Sequence, residues 1–239
     1  GAGVSFELDI QPILASAGCS VGACHGKQNG QNGFALSLLG FDPDFDYASL
    51  TKNARGRRIF PAVPDQSLLL LKATARVPHG GGARLDPAGD DYATIRRWIV
   101  QGMPRRIVGE PTLDRVTVEP SERFMKPGQT QPLRVTAYYS DGTTRDVTSR
   151  ASFQSNEAAI VGVSEEGVIK AGALPGEAAI MARYSGHIVT CNVAIPLPGA
   201  DEVPDALYDA LPRNNFIDER VWSKLKSLGI TAAAPADDA

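Results

Sequence analysis

The stretch Cys19-Ser20-Val21-Gly22-Ala23-Cys24-His25 decides how the first half of this chain is interpreted. Two thiols followed directly by an imidazole are the pattern of c-type haem attachment, although the usual spacing is C-x-x-C-H and two extra residues separate these cysteines. Each sulfur can add across one haem vinyl group, and the adjacent imidazole then serves as the proximal iron ligand. The motif therefore predicts haem c bound through Cys19 and Cys24, with His25 on the iron.

Two other uses of these residues stay open. Zinc could take Cys19, Cys24 and a histidine, although the neighbours Cys24 and His25 reach one tetrahedral ion poorly and no second cysteine pair exists. A Cys19–Cys24 disulfide would close a small loop and leave His25 without a role. Gly18 and Gly22 favour the haem, because they give the widened loop the backbone freedom to deliver both sulfurs.

The flanking segments predict short elements around the motif. Ser5 caps an apolar-faced helix that ends near residue 14, and a second helix runs from residue 64 to 72. The apolar run 33–40, which lies between glycines, favours a strand or a tight hairpin. The amphipathic pattern of residues 91–100 predicts a helix that ends before Gly102.

Several short segments accompany the haem motif, namely Val4-Ser5-Phe6, Asn32-Gly33-Phe34, Gly40-Phe41-Asp42-Pro43, Arg57-Arg58, Pro64-Asp65-Gln66-Ser67-Leu68, Pro78-His79-Gly80-Gly81 and Trp98-Ile99. With them, residues 4–104 resemble the planctomycete-type cytochrome c domain found at the N-terminus of large multidomain proteins. The resemblance implies haem c bound covalently on an α-helical scaffold.

Few residues could complete the coordination of the iron. His79 lies on a loop before the last predicted helix and precedes three glycines, which let the backbone approach a haem edge closely. We therefore expect His79 as the distal ligand, with Met103 as the alternative and an open sixth position as another. Arg57, Arg58 and Arg84 are candidate partners of the haem propionates.

An acidic cluster follows at Asp42, Asp44 and Asp46. Alternating carboxylates can converge on a hard cation, so these three residues are candidate calcium ligands. The EF-hand template does not fit, because its glycine and glutamate positions hold Tyr47 and Asn53. The alternative is that Asp42 and Asp46 cap turns.

From Leu113 onward the pattern changes to period-two alternation, which predicts an antiparallel β-sandwich. Turn signals separate the alternating segments at Pro127-Gly128, Ser140-Asp141-Gly142, Glu166-Gly167, Pro175-Gly176 and Ser185-Gly186. The run from Lys126-Pro127-Gly128-Gln129 to Asp146-Val147-Thr148 resembles the bacterial Ig-like group 2 module, over about residues 112–196. That resemblance implies a spacer or an adhesive surface. Cys191 shares the parity of Val189 and Val193, so we expect it to be a buried small hydrophobe.

The expected fold class is a multidomain protein with a mainly α cytochrome c-like domain and an all-β Ig-like sandwich. The domains are residues 1–109 for the cytochrome and 110–198 for the sandwich. Residues 199–239 form a linker and the start of a truncated C-terminal helical segment. In that segment, residues 215–230 predict an amphipathic helix with its apolar side buried.

Composition excludes some classes of function. The chain of 239 residues carries a net charge of −3, which is not basic enough to suggest nucleic acid. No run approaches the roughly 20 apolar residues of a membrane span. Gly1-Ala2-Gly3 has no signal-peptide character, and covalent haem attachment takes place outside the bacterial cytoplasm. We therefore expect a mature periplasmic form, or one from an equivalent compartment, whose signal has been removed.

The leading hypothesis is a mono-haem electron-transfer module that meets a redox partner protein, rather than an enzyme. A haem enzyme or gas-binding protein with an open distal site is one alternative. A non-redox interaction protein with a structural metal site is another. A homodimer is compatible with either type of function.

Overall fold

The computed structural model describes residues 3–26 and 28–233. Helices occupy 31% of the structure and strands 23%, and the described residues form no cytochrome-like helical domain. The expected fold class, a mainly α cytochrome c-like domain joined to an all-β Ig-like sandwich, is therefore wrong. In the first half, turns interrupt the helices, and non-glycine residues such as Leu39, Ala54 and Arg55 have positive φ, which ends a helix.

Four short α-helices precede residue 112: α1 (Gln11–Ser16), α2 (Pro43–Thr51), α3 (Leu68–Ala73) and α4 (Asp90–Val100). A π-helical turn, Phe6–Ile10, leads into α1, and Ser5 Oγ accepts from Leu8 N–H as the predicted cap. Isolated 3-10 turns lie at Leu38–Gly40, Asn53–Gly56 and Pro64–Gln66. The predicted helix over 91–100 is confirmed as α4, whereas α2 was not predicted.

The strand or hairpin predicted over residues 33–40 is wrong beyond a single bridge between Gln31 and Phe34. Main-chain groups of this segment bond to loop partners instead. Leu36 N–H donates to the His25 carbonyl, and Ser37 N–H donates to the Asp46 carboxylate. A backbone whose donors are used in this way does not pair with a neighbouring strand.

The helices and turns of this first half share one apolar core. Trp98, Phe6 and Ile10 are among its largest fully buried side chains, and Trp98 Nε1–H donates to the Pro104 carbonyl. The remaining buried members are Val4, Ile13, Leu14, Leu36, Leu50, Ile59, Leu69, Leu70, Ala73, Leu85, Tyr92, Ile95 and Ile99.

Ten strands follow: β1 (Leu113–Glu119), β2 (Glu122–Phe124), β3 (Thr130–Pro132), β4 (Arg134–Tyr139), β5 (Thr144–Asp146), β6 (Ser152–Ser155), β7 (Val161–Val163), β8 (Val168–Ala171), β9 (Gly176–Tyr184) and β10 (His187–Ile195). They form three sheets with the orders β1-β4-β5, β2-β10-β9-β6 and β3-β8-β7. β2 pairs in parallel with β10, while β4 with β5 and β8 with both β3 and β7 pair antiparallel.

The predicted alternation is confirmed on β4 and over the first part of β10, whereas on β7 Val161 is buried and Val163 only partly. On β4, Val135, Ala137 and Tyr139 are buried and the residues between them are not. Cys191 on β10 is buried as predicted, and burial raises the pKa of its thiol to about 11. β9 was not predicted, because two of its four buried alternate positions are the alanines Ala178 and Ala182, which give little hydrophobic signal.

Two further helices follow the strands, α5 (Asp205–Asp209) and α6 (Phe216–Leu228). Asn215 and Asp218 form a capping box at the start of α6, and Gly229 ends the helix in the left-handed conformation. The buried side expected for this helix is only partly present. Leu228 is buried, whereas Phe216 is 70% exposed.

The structure divides into two compact units that interleave in sequence. The first combines the chain up to Thr117 with Val135–Ser152 and Arg183–Val189, and the second contains Val118–Arg134, Phe153–Ala182 and the chain from Thr190 onward. The boundaries at 109 and 198 stay a prediction. In the described ranges, every helix is too short or too polar to cross a membrane.

Candidate functional site

A cleft of the first unit brings most of the predicted site residues together. Its walls come from the end of α1, the segments 19–25 and 31–34, the pair 57–58, α3 and the turn 78–84. Among the described residues, its lining contains four cationic side chains and no carboxylate: Leu14, Cys19, Cys24, His25, Gln31, Asn32, Phe34, Arg57, Arg58, Leu68, Leu69, Lys72, Ala73, Pro78, His79, Gly80 and Arg84. The cleft therefore suits a ligand that is partly apolar and partly anionic.

The loop 19–25 is closed by its own main chain. His25 N–H donates to the Cys19 carbonyl at 3.0 Å, and Cys24 N–H donates to the Val21 carbonyl at 2.9 Å. A side chain at position 26 would place Cβ 1.9 Å from the Ser20 carbonyl oxygen, so only glycine fits there.

The two glycines singled out in this loop behave differently. Gly18 has a φ of +73°, as a bulged loop requires. Position 22 does not require a glycine. A Cβ on Gly22 would meet open space, and the φ of Gly22 is not positive. The glycine that this loop depends on is Gly26.

The two thiols of the loop are free and differ in environment. Cys19 packs against the apolar core, and burial, with a smaller effect from Cys24, raises its pKa to about 11 despite the nearby Arg84. Cys24 lies nearer the surface, with Arg84 Nη2 at 3.9 Å from its sulfur. Both sulfurs line the cleft, so one bound group could react with both.

The imidazoles of His25 and His79 face the same cleft in a defined arrangement. Their rings are nearly parallel, with an interplanar angle of 8° and 6.3 Å between centroids. His25 Nδ1–H donates to the Phe34 carbonyl at 2.9 Å, and His79 Nδ1–H donates to the Gly82 carbonyl at 2.8 Å. In the neutral form of each ring, this hydrogen bond leaves Nε2 as the nitrogen that can bind a metal.

The spacing of the two rings can be compared with that of a bis-imidazole metal site. A metal–imidazole nitrogen bond is about 2 Å long, as in zinc sites, so two imidazoles on opposite sides of one ion have centroids about 6 Å apart. The observed centroid distance of 6.3 Å is similar, and the two rings are stacked with nearly parallel planes. The centroid distance does not fix the direction in which the two Nε2 atoms point. Within the described residues, no three His, Cys, Asp or Glu side chains form a group that could hold a metal ion.

The predicted propionate partners separate into two kinds. Arg58 is 4% exposed and donates to the main-chain carbonyls of Gly33, Ser49 and Asn53, with its guanidinium 4.5 Å from the Phe34 ring centroid. Burial, helped by neighbouring Arg57, lowers its pKa. Arg58 thus holds the wall of the cleft, while the exposed Arg57 and Arg84 present their charges at its rim.

Met103 does not line the cleft. Its side chain packs against the apolar core, and its main chain is fixed by Met103 N–H donating to the Trp98 carbonyl and by Tyr47 Oη donating to the Met103 carbonyl. The structure therefore brings His79, and not Met103, close to His25.

The three aspartates proposed for calcium have separate roles. Asp42 caps α2 by accepting from Phe45 N–H, and Asp44 is paired with Arg105. Asp46 is buried and accepts from Ser37 and Gln11, and burial raises its pKa. A calcium site here stays a prediction that the arrangement of these carboxylates does not favour.

Sequence reasoning missed Lys72 and the leucines of α3. Leu68, Leu69, Lys72 and Ala73 follow the i, i+1, i+4, i+5 spacing of one helix face, and all four line the cleft. The helical periodicity of the segment would have identified this face.

No protein family matches this chain, and no curated protein matches it. Among solved structures, domains 4 and 5 of the S-layer protein SbsC align over 36% of this chain and 53% of that structure, at 20% identity and a TM-score of 0.31. Domains 5–6 of the same protein align over 37% and 47%, again at 20% identity and a TM-score of 0.31. The chain thus covers about half of each of these two structures, and this low similarity carries no argument about function.

Proposed function

We propose that this chain binds one haem c covalently through Cys19 and Cys24, with His25 and His79 as axial ligands, and that it serves as an electron-transfer module. The two nearly parallel imidazoles, each with Nδ1–H bonded to a main-chain carbonyl, carry this proposal. Metal-binding histidines commonly have such a second hydrogen bond, which fixes the ring and raises the basicity of the ligating nitrogen.

The other lining residues fit a haem in charge and polarity. Arg57 and Arg84 at the rim suit two propionates, and Leu14, Leu68 and Leu69 suit an apolar macrocycle. The cavity volume is about 200 Å³, less than the roughly 300–1,000 Å³ of closed cofactor pockets. A haem could not be fully enclosed, which suits electron exchange with a protein at the surface.

The bound haem would supply an iron that takes up and releases one electron. The chain contributes the rest of the site. Cys19 and Cys24 attach the group, Phe34 and Gly82 keep both imidazoles in the ligating tautomer, and the leucines exclude water from one side. Two imidazole ligands favour a lower potential than a methionine ligand would.

The remaining assignments follow from this function. We propose a periplasmic or equivalent location outside the cytoplasm, a redox partner protein, and no nucleic acid partner. Membership in the planctomycete-type cytochrome c family is proposed on its motifs alone, and the strands after residue 112 would serve as a spacer or an interaction surface. A homodimer remains compatible with this function.

Mass spectrometry of denatured protein, matured in a host that attaches haem c, tests the attachment. We expect the mass of one haem on the wild-type chain and none on a Cys19→Ala/Cys24→Ala double variant. Loss of the haem on acid-acetone extraction, or bound zinc in place of a Soret band, would contradict the proposal.

The axial ligands are tested by spectra of the same protein. We expect low-spin iron in both oxidation states, and high-spin ferric iron with carbon monoxide binding after His79→Ala. Met103→Ala should leave the spectrum unchanged, since its side chain packs in the core. A wild-type ferrous protein that binds carbon monoxide readily would instead favour an open-site haem enzyme or gas-binding protein.

A further inference from the structure

The turn that carries His79 is built on the end of α3. At its start, Arg76 N–H donates to the Leu71 carbonyl at 2.9 Å. At its end, Arg84 N–H and Leu85 N–H both donate to the Ala73 carbonyl, at 2.7 and 3.0 Å. Both ends of the segment 76–85 are therefore fixed to neighbouring carbonyls of one helix.

A hydrogen bond from Lys72 fixes the middle of the turn to the helix. Its ammonium group, on the last turn of α3, donates to the carbonyl of Pro78, the residue before His79. A charged donor makes a stronger hydrogen bond than a neutral one. Lys72 thereby holds the main chain from which the imidazole projects.

The glycines after His79 are not equivalent. A Cβ on Gly81 would lie 3.0 Å from Cε1 and 3.4 Å from Nε2 of His79, whereas a Cβ on Gly80 would have no heavy atom within 4 Å. Neither glycine has a positive φ. The ring of His79 thus lies directly against Gly81, while Gly80 lies beside open space.

We propose that Lys72 and Gly81 are positioning residues that keep His79 aligned with His25, Lys72 by restraining the turn and Gly81 by leaving room for the ring. This inference rests on the proposed haem site, which it deepens by naming what keeps the sixth position closed. Loosening either restraint raises the fraction of molecules in which an external ligand can compete with His79.

The first test uses the haem-free chain. Nitrogen-15 NMR of histidine-labelled protein reports the tautomer of each ring, and His79→Ala assigns the His79 signals. We expect the Nδ1–H tautomer of His79 in the wild type, Gly80→Ala and Lys72→Arg, and a mixture of tautomers in Gly81→Ala and Lys72→Met. Circular dichroism checks that each variant is folded.

The second test titrates azide into the ferric haem-loaded protein. We expect Gly81→Ala and Lys72→Met to bind azide about two- to tenfold more tightly than the wild type, the range that corresponds to one ordinary hydrogen bond. Lys72→Arg should match the wild type, and His79→Ala should bind most tightly.

Failure of the inference and failure of the proposed function give different results. Azide affinities of Gly81→Ala and Lys72→Met equal to that of the wild type would overturn the positioning roles while the haem site stands. Failure of the chain to attach haem would contradict the proposed function. In that case the tautomer measurement alone decides, and unchanged His79 signals in Gly81→Ala and Lys72→Met would overturn the positioning roles as well.

Discussion

The cleft region and the strand region are held together in different ways. Around the cleft, buried polar side chains such as Arg58 and Asp46 bind main-chain groups far away in sequence. In the strands, positions such as Val135 and Cys191 are buried by simple alternation. Alternation can be recognised from neighbouring residues in the sequence. A hydrogen bond between a side chain and a main-chain group elsewhere in the sequence cannot. Interpretation by local pattern therefore succeeded in the strands and failed for the fold of the first half.

The largest effect is expected when a charge is placed on the buried side of β10. Val193 is buried and its neighbour Asn192 is exposed. Val193→Asp buries an unpaired charge and should cost more than about 4 kcal/mol, enough to unfold the second unit. Asn192→Asp should leave the urea midpoint nearly unchanged. Similar losses for both would mean that β10 has no buried side.

Removal of a buried cation should show the dependence of the cleft on long-range hydrogen bonds. Arg58→Met leaves three carbonyls without their charged donor and should lower the unfolding free energy by about 3 kcal/mol. The control is Arg115→Met, an exposed arginine whose guanidinium lies 3.5 Å from the Tyr138 ring centroid. That change should cost less than about 1 kcal/mol. Equal costs would contradict a structural role for Arg58.

Two glycines are required for different reasons, one because a side chain would clash with the main chain and the other because its φ is positive. Gly26→Ala would force the Ser20 carbonyl away and should cost about 2–3 kcal/mol. Gly142, in the turn after β4, has open space but a φ of +80°, so its change to alanine should cost about 1 kcal/mol. Urea unfolding measures both, and Gly22→Ala should be nearly neutral. A loss for Gly22→Ala as large as that for Gly26→Ala would be inconsistent with the loop described here.

The smallest effect is a difference in pH dependence between two aspartates. Burial raises the pKa of Asp46 above 3.8, so its stabilising contribution is complete below that pH and decreases as the pH rises through the folded-state pKa. Hydrogen bonds from Thr143 lower the pKa of Asp141. Its contribution is present above 3.8 and is lost as the pH falls through the lowered value.

The loss of stability caused by Asp46→Ala should therefore grow as the pH falls from 7 towards 3, while that of Asp141→Ala should shrink. Urea midpoints of the two variants and the wild type, measured at several pH values, check this. Parallel pH profiles for the two variants would refute the opposite shifts.

Most of the residues that line the candidate site could be predicted, but the hydrogen bonds that hold its walls could not. Cys19, Cys24, His25 and His79 were predicted and line one cleft. Arg58 was expected at propionates, but its donors bind carbonyls of the loop and of α2. A sequence shows that an arginine is present, but the carbonyls it reaches depend on how distant segments pack.

The amino-acid sequence by itself determined the β4 and β10 alternation, the Ser5 cap, and the motif 19–25, because each depends on residues within one turn or one strand of each other. Only the tertiary structure decided that residues 33–40 form no strand, that Phe216 stays exposed, and that His79 rather than Met103 approaches His25. These outcomes depend on which distant groups fill the same space and satisfy the same hydrogen-bond donors. No local pattern encodes that competition.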